Sequence, residues 1–242
     1  MIQKKNTLNN ILKNIPSKTK IVFIDNIKYQ NKSDLIVLPG IKEQFTNIPK
    51  NSISGLEYIL LNPNIRKTKN RKERNTILLS TGGSDKYNIT EKIVKNFMKF
   101  NKKFKMKIIL GELYEHKDKL KKMVEDDKRF DVYIQPKEIS KIMNSCTIGI
   151  VTFGVTVYEA AYLHLPIFVI AHSNENHKAA MQVEKYGWSK YLGKYDKINY
   201  KDMAKMIFKY INDERTLEKM KNNGVVDGKG NKRVVEKIIK LF

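Results

Sequence analysis

The sequence predicts an α/β fold, a parallel sheet covered by helices on both faces with a smaller sheet-bearing segment ahead of it. Apolar runs of strand length alternate with stretches of helical period, which is the order of βα units. The runs are continuously apolar rather than alternating in and out, as strands buried on both faces require. A chain of 242 residues with 41% hydrophobic composition can bury the core that such a sheet needs.

Taken in order, a first helix within MIQKKNTLNNILKNIP is followed by two short strands, TKIVFID and SDLIVLPG, and by the apolar segment GLEYILLNP. Five strands then follow: NTILLSTGG, KMKIILG, FDVYIQP, TIGIVTFG and PIFVIAH. Helices separate and follow them. Ile89 to Phe100 places Ile89, Ile93, Phe97 and Phe100 on one face, and Lys117 to Glu125, Lys137 to Asn144, Val155 to Leu163 and Asn176 to Tyr186 continue the series. The tail holds helices over Asp202 to Ile211 and Glu214 to Lys221. Turn chemistry at Gly224, Gly228 and Gly230 precedes a last helix with Val234, Val235, Ile238, Ile239 and Phe242 on its apolar side.

Asn62 to Asn75 carries a proline, six basic residues and almost nothing to bury, so it reads as an exposed linker. The predicted division is therefore a partial N-terminal lobe with a basic linker over 1–74 and a complete domain over 75–242. No apolar run approaches the roughly 20 residues that span a bilayer. The first segment lacks the unbroken apolar stretch of a signal peptide, which points to the cytoplasm. One cysteine, Cys146, allows no internal disulfide and no zinc pattern, and reads as a small buried residue at a helix-to-strand junction.

The net charge of +22 attracts polyanions whatever its origin. Only six of the 47 cationic residues are arginine, and the lysines are spread over every segment. A dedicated nucleic-acid binder would cluster arginine and interleave aromatics. A solvated surface is the better reading, with nucleic acid an unlikely partner and weak association with an anionic membrane face left open.

In parallel sheets, ligands gather where strands end and helices begin, because unpaired amides and helix dipoles point there. Three loops qualify. Ser80 to Asp85 holds Gly82, Gly83, Ser84 and Asp85, where glycines admit close approach of an anion and Ser84 can donate; a plain β-to-α turn favours the same residues. Thr152, Phe153, Gly154, Val155 and Thr156 open a helix carrying Glu159, which suits ribose hydroxyls or merely complements the helix dipole. Ala171 to His177 offers Asn174, Asn176 and His177 to sugar hydroxyls, although a lone loop histidine such as His172 or His177 is more often a surface residue.

These segments, in order and spacing, resemble the nucleotide-binding half of the GT-B fold. More narrowly they resemble the PseG/SpsG group of nucleotide-sugar hydrolases and spore-coat polysaccharide proteins. The resembling residues are ILLSTGGSDKYNIT at 77–90, GIVTFGVTVYEAAYLHLPIFVI at 149–170, ENH at 175–177 and VDGKGNKRVVEKI at 226–238. FIDN, SDLIVLPG and GLEYILLNP resemble the end of the group's N-terminal lobe. The resemblance implies a Rossmann-like domain of GT-B type with a truncated second Rossmann-like lobe. It implies a UDP- or CMP-linked sugar as ligand, for surface-polysaccharide or pseudaminic acid synthesis, with hydrolysis or glycosyl transfer at the anomeric carbon. Gly82, Gly83, Ser84 and Asp85, with Asn88 nearby, would face the nucleotide sugar. Thr152, Phe153, Gly154 and Thr156 would enclose the diphosphate, Glu159 would hold the ribose, and Asn176 with His177 the sugar end.

No cofactor and no metal is implied, and no DxD pair demands one. The group usually has glycine or alanine at Phe153, glutamine at His177 and glycine at His164. Its GxGHxxR loop, whose histidine is taken as the general base, has no counterpart, since every histidine lies at 116 or beyond. The sequence therefore identifies no catalytic residue, and the expectation is a chain that binds without catalysing or takes the missing group from a partner chain.

Overall fold

The computed structural model describes residues 2–45, 47–68 and 73–242, and of residues 2–7 the backbone alone. The chain divides into two units, Met1–Leu60 with Gly228–Phe242, and Leu61–Asp227.

The larger unit is a doubly covered parallel sheet. Its strands are β4 (Thr76–Ser80), β5 (Lys105–Leu110), β6 (Phe130–Ile134), β7 (Ile148–Thr152), β8 (Ile167–Ala171) and β9 (Ser189–Lys194), in the spatial order β6-β5-β4-β7-β8-β9. All five neighbour pairs are parallel. The connecting helices are α2 (Ile89–Met98), α3 (Lys117–Val124), α4 (Ile139–Ser145), α5 (Val155–Tyr162) and α6 (Asn174–Glu184). Every residue of β7 and β8 is buried, which is why those segments read as unbroken apolar runs. Ile93 and Phe97 of α2 enter the core beside Phe104 and Phe130, as the helical spacing predicts. Helix α7 (Tyr200–Ile211) packs on α2 with Met203, Ala204 and Ile207 buried, and α8 (Glu214–Asn222) follows, its first turn capped by Asp213. Cys146 is fully buried where α4 meets β7, as expected.

The smaller unit has three parallel strands, β1 (Val22–Ile24), β2 (Leu35–Pro39) and β3 (Ser52–Gly55), in the order β1-β2-β3. It also holds α1 (Ile2–Lys13) and α9 (Gly230–Ile239). Val234 of α9 packs with Leu35 and Val37 of β2. Helix α9 begins so close to the backbone of Ile59 that a Cβ on Gly230 would lie 2.0 Å from the Ile59 carbonyl oxygen. The second glycine of DGKG is thus required by packing.

Three differences from the sequence reading have physical causes. The segment expected as a free linker is stitched to the larger unit: Ile65 is buried, the Asn144 amide donates to the Arg66 carbonyl at 2.8 Å, and the Thr147 hydroxyl donates to the Glu73 carbonyl at 2.7 Å. Residues 69–72 of that segment lie outside the described residues. The units divide at 60/61 and again at 227/228 because α9 returns to the smaller sheet, so a single division at residue 75 does not describe them. Strands β3 and β9 went unread because both are half-exposed edges; β9 is interrupted by Gly193 at φ 114 and carries Lys190 and Lys194, residues that blunt an edge. His164, at the position where the resembling group has glycine, adopts φ 53, the left-handed region glycine favours. Its ring is held between the Lys221 carbonyl at 3.0 Å and Lys67 Nζ at 2.8 Å. Among the described residues, no helix is long and apolar enough to cross a membrane.

Candidate functional site

Strand order in the larger sheet reverses between β4 and β7, with β5 and β6 on one side and β8 and β9 on the other. At such a switch point the loops leaving two adjacent strands diverge and open a crevice. A cavity of about 400 Å³ occupies that place, lined by the turn 81–87, Ile89, the turn 152–156 and His172. Of the expected residues it brings together Gly82, Gly83, Ser84, Asp85, Thr152, Phe153, Gly154 and Thr156. Asn88, Glu159, Asn176 and His177 do not line it.

The turn after β4 is heavily braced. Gly82 has φ 89, and Gly111 at the end of β5 approaches so closely that a Cβ there would sit 2.2 Å from the Gly83 carbonyl oxygen. The Leu113 amide donates to that same oxygen at 3.1 Å. Asp85, buried at φ 38, accepts from the Ile89 amide on one carboxylate oxygen and from the Thr90 amide on the other, each at 2.8 Å. Two of the orphan amides of α2 are therefore filled by the protein's own carboxylate. Asn88 also faces inward on its own structure: its amide donates to Glu91 at 2.7 Å and its carbonyl accepts from the Tyr114 hydroxyl at 2.7 Å. Glu91 lies 2.6 Å from Lys95 and 2.9 Å from Lys119. The hydrogen bonds from Lys95 and Asn88 lead in holding its carboxyl down at about 2. Asp85 lines the cavity but Asn88 does not, and the polar atoms of both already have protein partners.

The turn after β7 is the opposite case. Gly154 is extended, no side chain caps α5, and a Cβ on Gly154 would meet nothing within 4 Å. Thr156 stands in the first turn of that helix and lines the cavity. Phe153, anchored by its amide to the Ile170 carbonyl at 2.9 Å, sets its ring edge-on to Tyr158 rather than closing the turn. One turn into α5, the half-buried Glu159 has no ion pair among the described residues, and burial raises its carboxyl above the ordinary range.

The third loop contributes less than its sequence promises. Ser173 caps α6 by accepting from the Asn176 amide at 3.1 Å, so Asn176 and His177 belong to the helix. His177 Nδ1 lies 2.7 Å from the Tyr191 hydroxyl. The side-chain oxygen of Asn176 is buried and has no hydrogen-bond partner. His172, Lys86 and Tyr87 line the cavity although the sequence did not select them. Tyr87 is stacked on Tyr195 with centroids 4.0 Å apart. Lys86 and Tyr87 directly follow GGSD, and His172 directly follows β8, so position after a strand end was the available signal.

No family model matches the chain. An uncharacterized protein of Methanocaldococcus jannaschii is 25% identical over 198 residues, which cover 78% of this chain and 37% of that protein. The chain thus spans little more than a third of that relative's length. Among solved structures, MurG of Acinetobacter baumannii superposes with TM-score 0.63 at 14% identity over 96% of this chain and 70% of that one. The spinosyn forosaminyltransferase SpnP gives TM-score 0.60 at 11% identity over 86% of this chain and 55% of that one. A UDP-GlcNAc 2-epimerase from Neisseria meningitidis, bound to UDP-GlcNAc, gives 0.53 at 20% identity over 69% of this chain and 45% of that one. The chain has the α/β, Rossmann-like fold of the GT-B glycosyltransferases.

Proposed function

We propose that the crevice between the β4 and β7 turns binds the diphosphate of a nucleotide sugar, a UDP-linked sugar in the first instance. The observation that carries this reading is the uncapped start of α5 opening into the cavity, beside an α2 whose amides are already occupied. The start of α5, where the Val157 amide already donates to the Gly154 carbonyl at 3.1 Å, and the helix dipole suit an anion at the Val155 and Thr156 amides. Gly154 leaves room for phosphate to approach the backbone, Thr156 adds a hydroxyl donor, and Gly82, Gly83 and Ser84 form the facing wall. Glu159, a carboxylate with no ion pair among the described residues, suits a ribose diol. Asn176, with its orphaned acceptor, and His177 are assigned to the sugar end. Structural likeness to glycosyltransferases and to an epimerase holding UDP-GlcNAc supports a ligand of this class.

The finer reading is PseG/SpsG-like chemistry at the anomeric carbon, in surface-polysaccharide or nonulosonic acid synthesis. When the sugar–phosphate bond breaks, negative charge grows on the leaving diphosphate, and the α5 amides are placed to stabilise it. No residue of the crevice matches the water-activating histidine of the GxGH loop, so the chain's own residues supply binding and leaving-group stabilisation. The test is calorimetric titration of UDP, UDP-GlcNAc and CMP at moderate salt. Saturable heat with the uridine ligands is expected. No heat with any of them, together with strong salt-sensitive binding to anionic vesicles or RNA, would replace this reading with that of a basic surface binder, which the charge of +22 favours.

A further inference from the structure

A diphosphate needs positive charge as well as amides, and the crevice holds two side chains able to carry it, Lys86 and His172. Asp85, the acid among the cavity's lining residues, is committed to the amides of Ile89 and Thr90. Lys86 extends from the β4 turn and is exposed. His172 comes from the other flank, on the loop after β8. The carbonyl of the preceding Ala171 accepts from the Tyr195 amide at 2.9 Å, so the backbone beneath the histidine is fixed while the residue itself stays exposed. Among the described residues neither Lys86 nor His172 has an ion pair or a side-chain hydrogen bond. Elsewhere in this unit, some side chains of the same types are tied down: His177 to Tyr191, His164 to Lys67 and the Lys221 carbonyl, and Lys194 to Asn174. His172 thus differs from His164 and His177 in keeping its ring available, and it lines the cavity at the start of α5.

We propose that His172 is a diphosphate-binding residue, donating as imidazolium from the β8 side while the α5 amides hold the phosphates from the β7 side. The assignment rests on the nucleotide-sugar reading and adds to it a pH dependence. Histidine is the side chain whose charge ordinarily changes between about pH 5 and 8. The ionisable groups on the surrounding elements are Asp85, Lys86 and Tyr87 on the β4 turn, Glu159 on α5, Glu175, His177 and Lys178 on α6, and Lys194, Tyr195 and Asp196 at the end of β9. Glu175 has its carboxyl held low by its own amide and the Ser173 hydroxyl. Protonation of Glu159 at low pH would weaken nucleotide binding, the opposite sign to the effect of His172.

The experiment is titration of UDP-GlcNAc into the full chain at about pH 5.5 and about pH 8. The diphosphate diester of this probe has no proton to exchange in that range, so any pH dependence belongs to the protein. Binding roughly tenfold tighter at the lower pH is expected, a factor equal to one charge-assisted contact. His172→Gln should remove the tightening at the lower pH, and His172→Lys should give tight binding at both pH values. His116→Gln, outside the cavity, should leave the dependence in place. An unchanged pH profile in His172→Gln would overturn the assignment while leaving the nucleotide reading intact. Absence of binding by the folded wild-type chain at both pH values would instead overturn the nucleotide reading, and this one with it. His172 and His116 are exposed, and circular dichroism checks the folding of each variant.

Discussion

The two glycine turns flanking the switch point look alike in sequence and behave as opposites in the fold. After β4, the chain spends its polar atoms on itself: Asp85 fills two amides of α2, Asn88 bridges Glu91 and Tyr114, and Thr81 and Thr90 share a hydroxyl contact of 2.5 Å. After β7, the helix start has no side-chain cap, and Glu159 one turn in has no ion pair among the described residues. The same residue type takes opposite electrostatic states in the two helices. Glu91 is held at about 2 by Lys95, Asn88 and Lys119, whereas Glu159 is pushed upward by burial alone. Saturated groups make a rigid wall, and unsaturated ones leave affinity for a ligand, because a half-buried polar group without a partner gains most from one that arrives.

The contrast can be broken by mutation. Asp85→Ala leaves two amides of a buried helix start without an acceptor and should cost about 3 kcal/mol of stability, read from urea denaturation. If it instead left stability unchanged and abolished nucleotide binding, the β4 turn would be a ligand wall like its neighbour.

Glu159→Ala should weaken UDP-sugar binding by about 2 kcal/mol, the scale of lost charge-assisted hydrogen bonds, with no loss of stability. The stability half of this expectation follows from the sign of the shift. A carboxyl whose folded pKa is raised opposes folding while ionised, and the cost is relieved as pH falls through the raised value. Glu159→Gln, which removes that burden, should therefore raise the melting temperature at neutral pH or leave it in place. A fall in melting temperature with full nucleotide affinity would make Glu159 a structural acid.

The smallest expected effect is at Glu91. Its folded pKa is depressed, so its contribution to stability is present above the ordinary glutamate range and is lost as pH falls from about 4.5 toward about 2. Glu91→Gln should cost roughly 1.5 kcal/mol at neutral pH and flatten the acid limb of the stability curve between those values. A variant with the same acid limb as the wild type would mean that the Lys95 and Lys119 pairs are worth nothing in solution.

Much of the fold was legible because burial on both faces leaves a strong trace. β7 and β8 are continuous apolar runs, and Ile89, Ile93 and Phe97 repeat at helical spacing. The edge strands β3 and β9 left no such trace, since a half-exposed strand with lysines resembles a loop. The basic segment after residue 61 was misread for the converse reason. Ile65 is a single anchor, and backbone carbonyls such as those of Arg66 and Glu73 make the remaining attachments, which no residue type announces.

By itself the sequence determined that two glycine-bearing turns follow strands of one βα series, and that both carry residues able to meet an anion. Period, apolar continuity and glycine content are local properties, and they survive without knowledge of neighbours. The tertiary structure alone decided which polar atoms remain available. Asp85 and Asn88 are consumed by α2 and Tyr114, and Gly83 is pressed by Gly111 from β5. Asn176 and His177 are drawn into α6, while His172 is left at the cavity. A hydrogen bond is satisfied or not by groups distant in the chain, so the state of each candidate atom is a property of the packed sheet and not of its own segment.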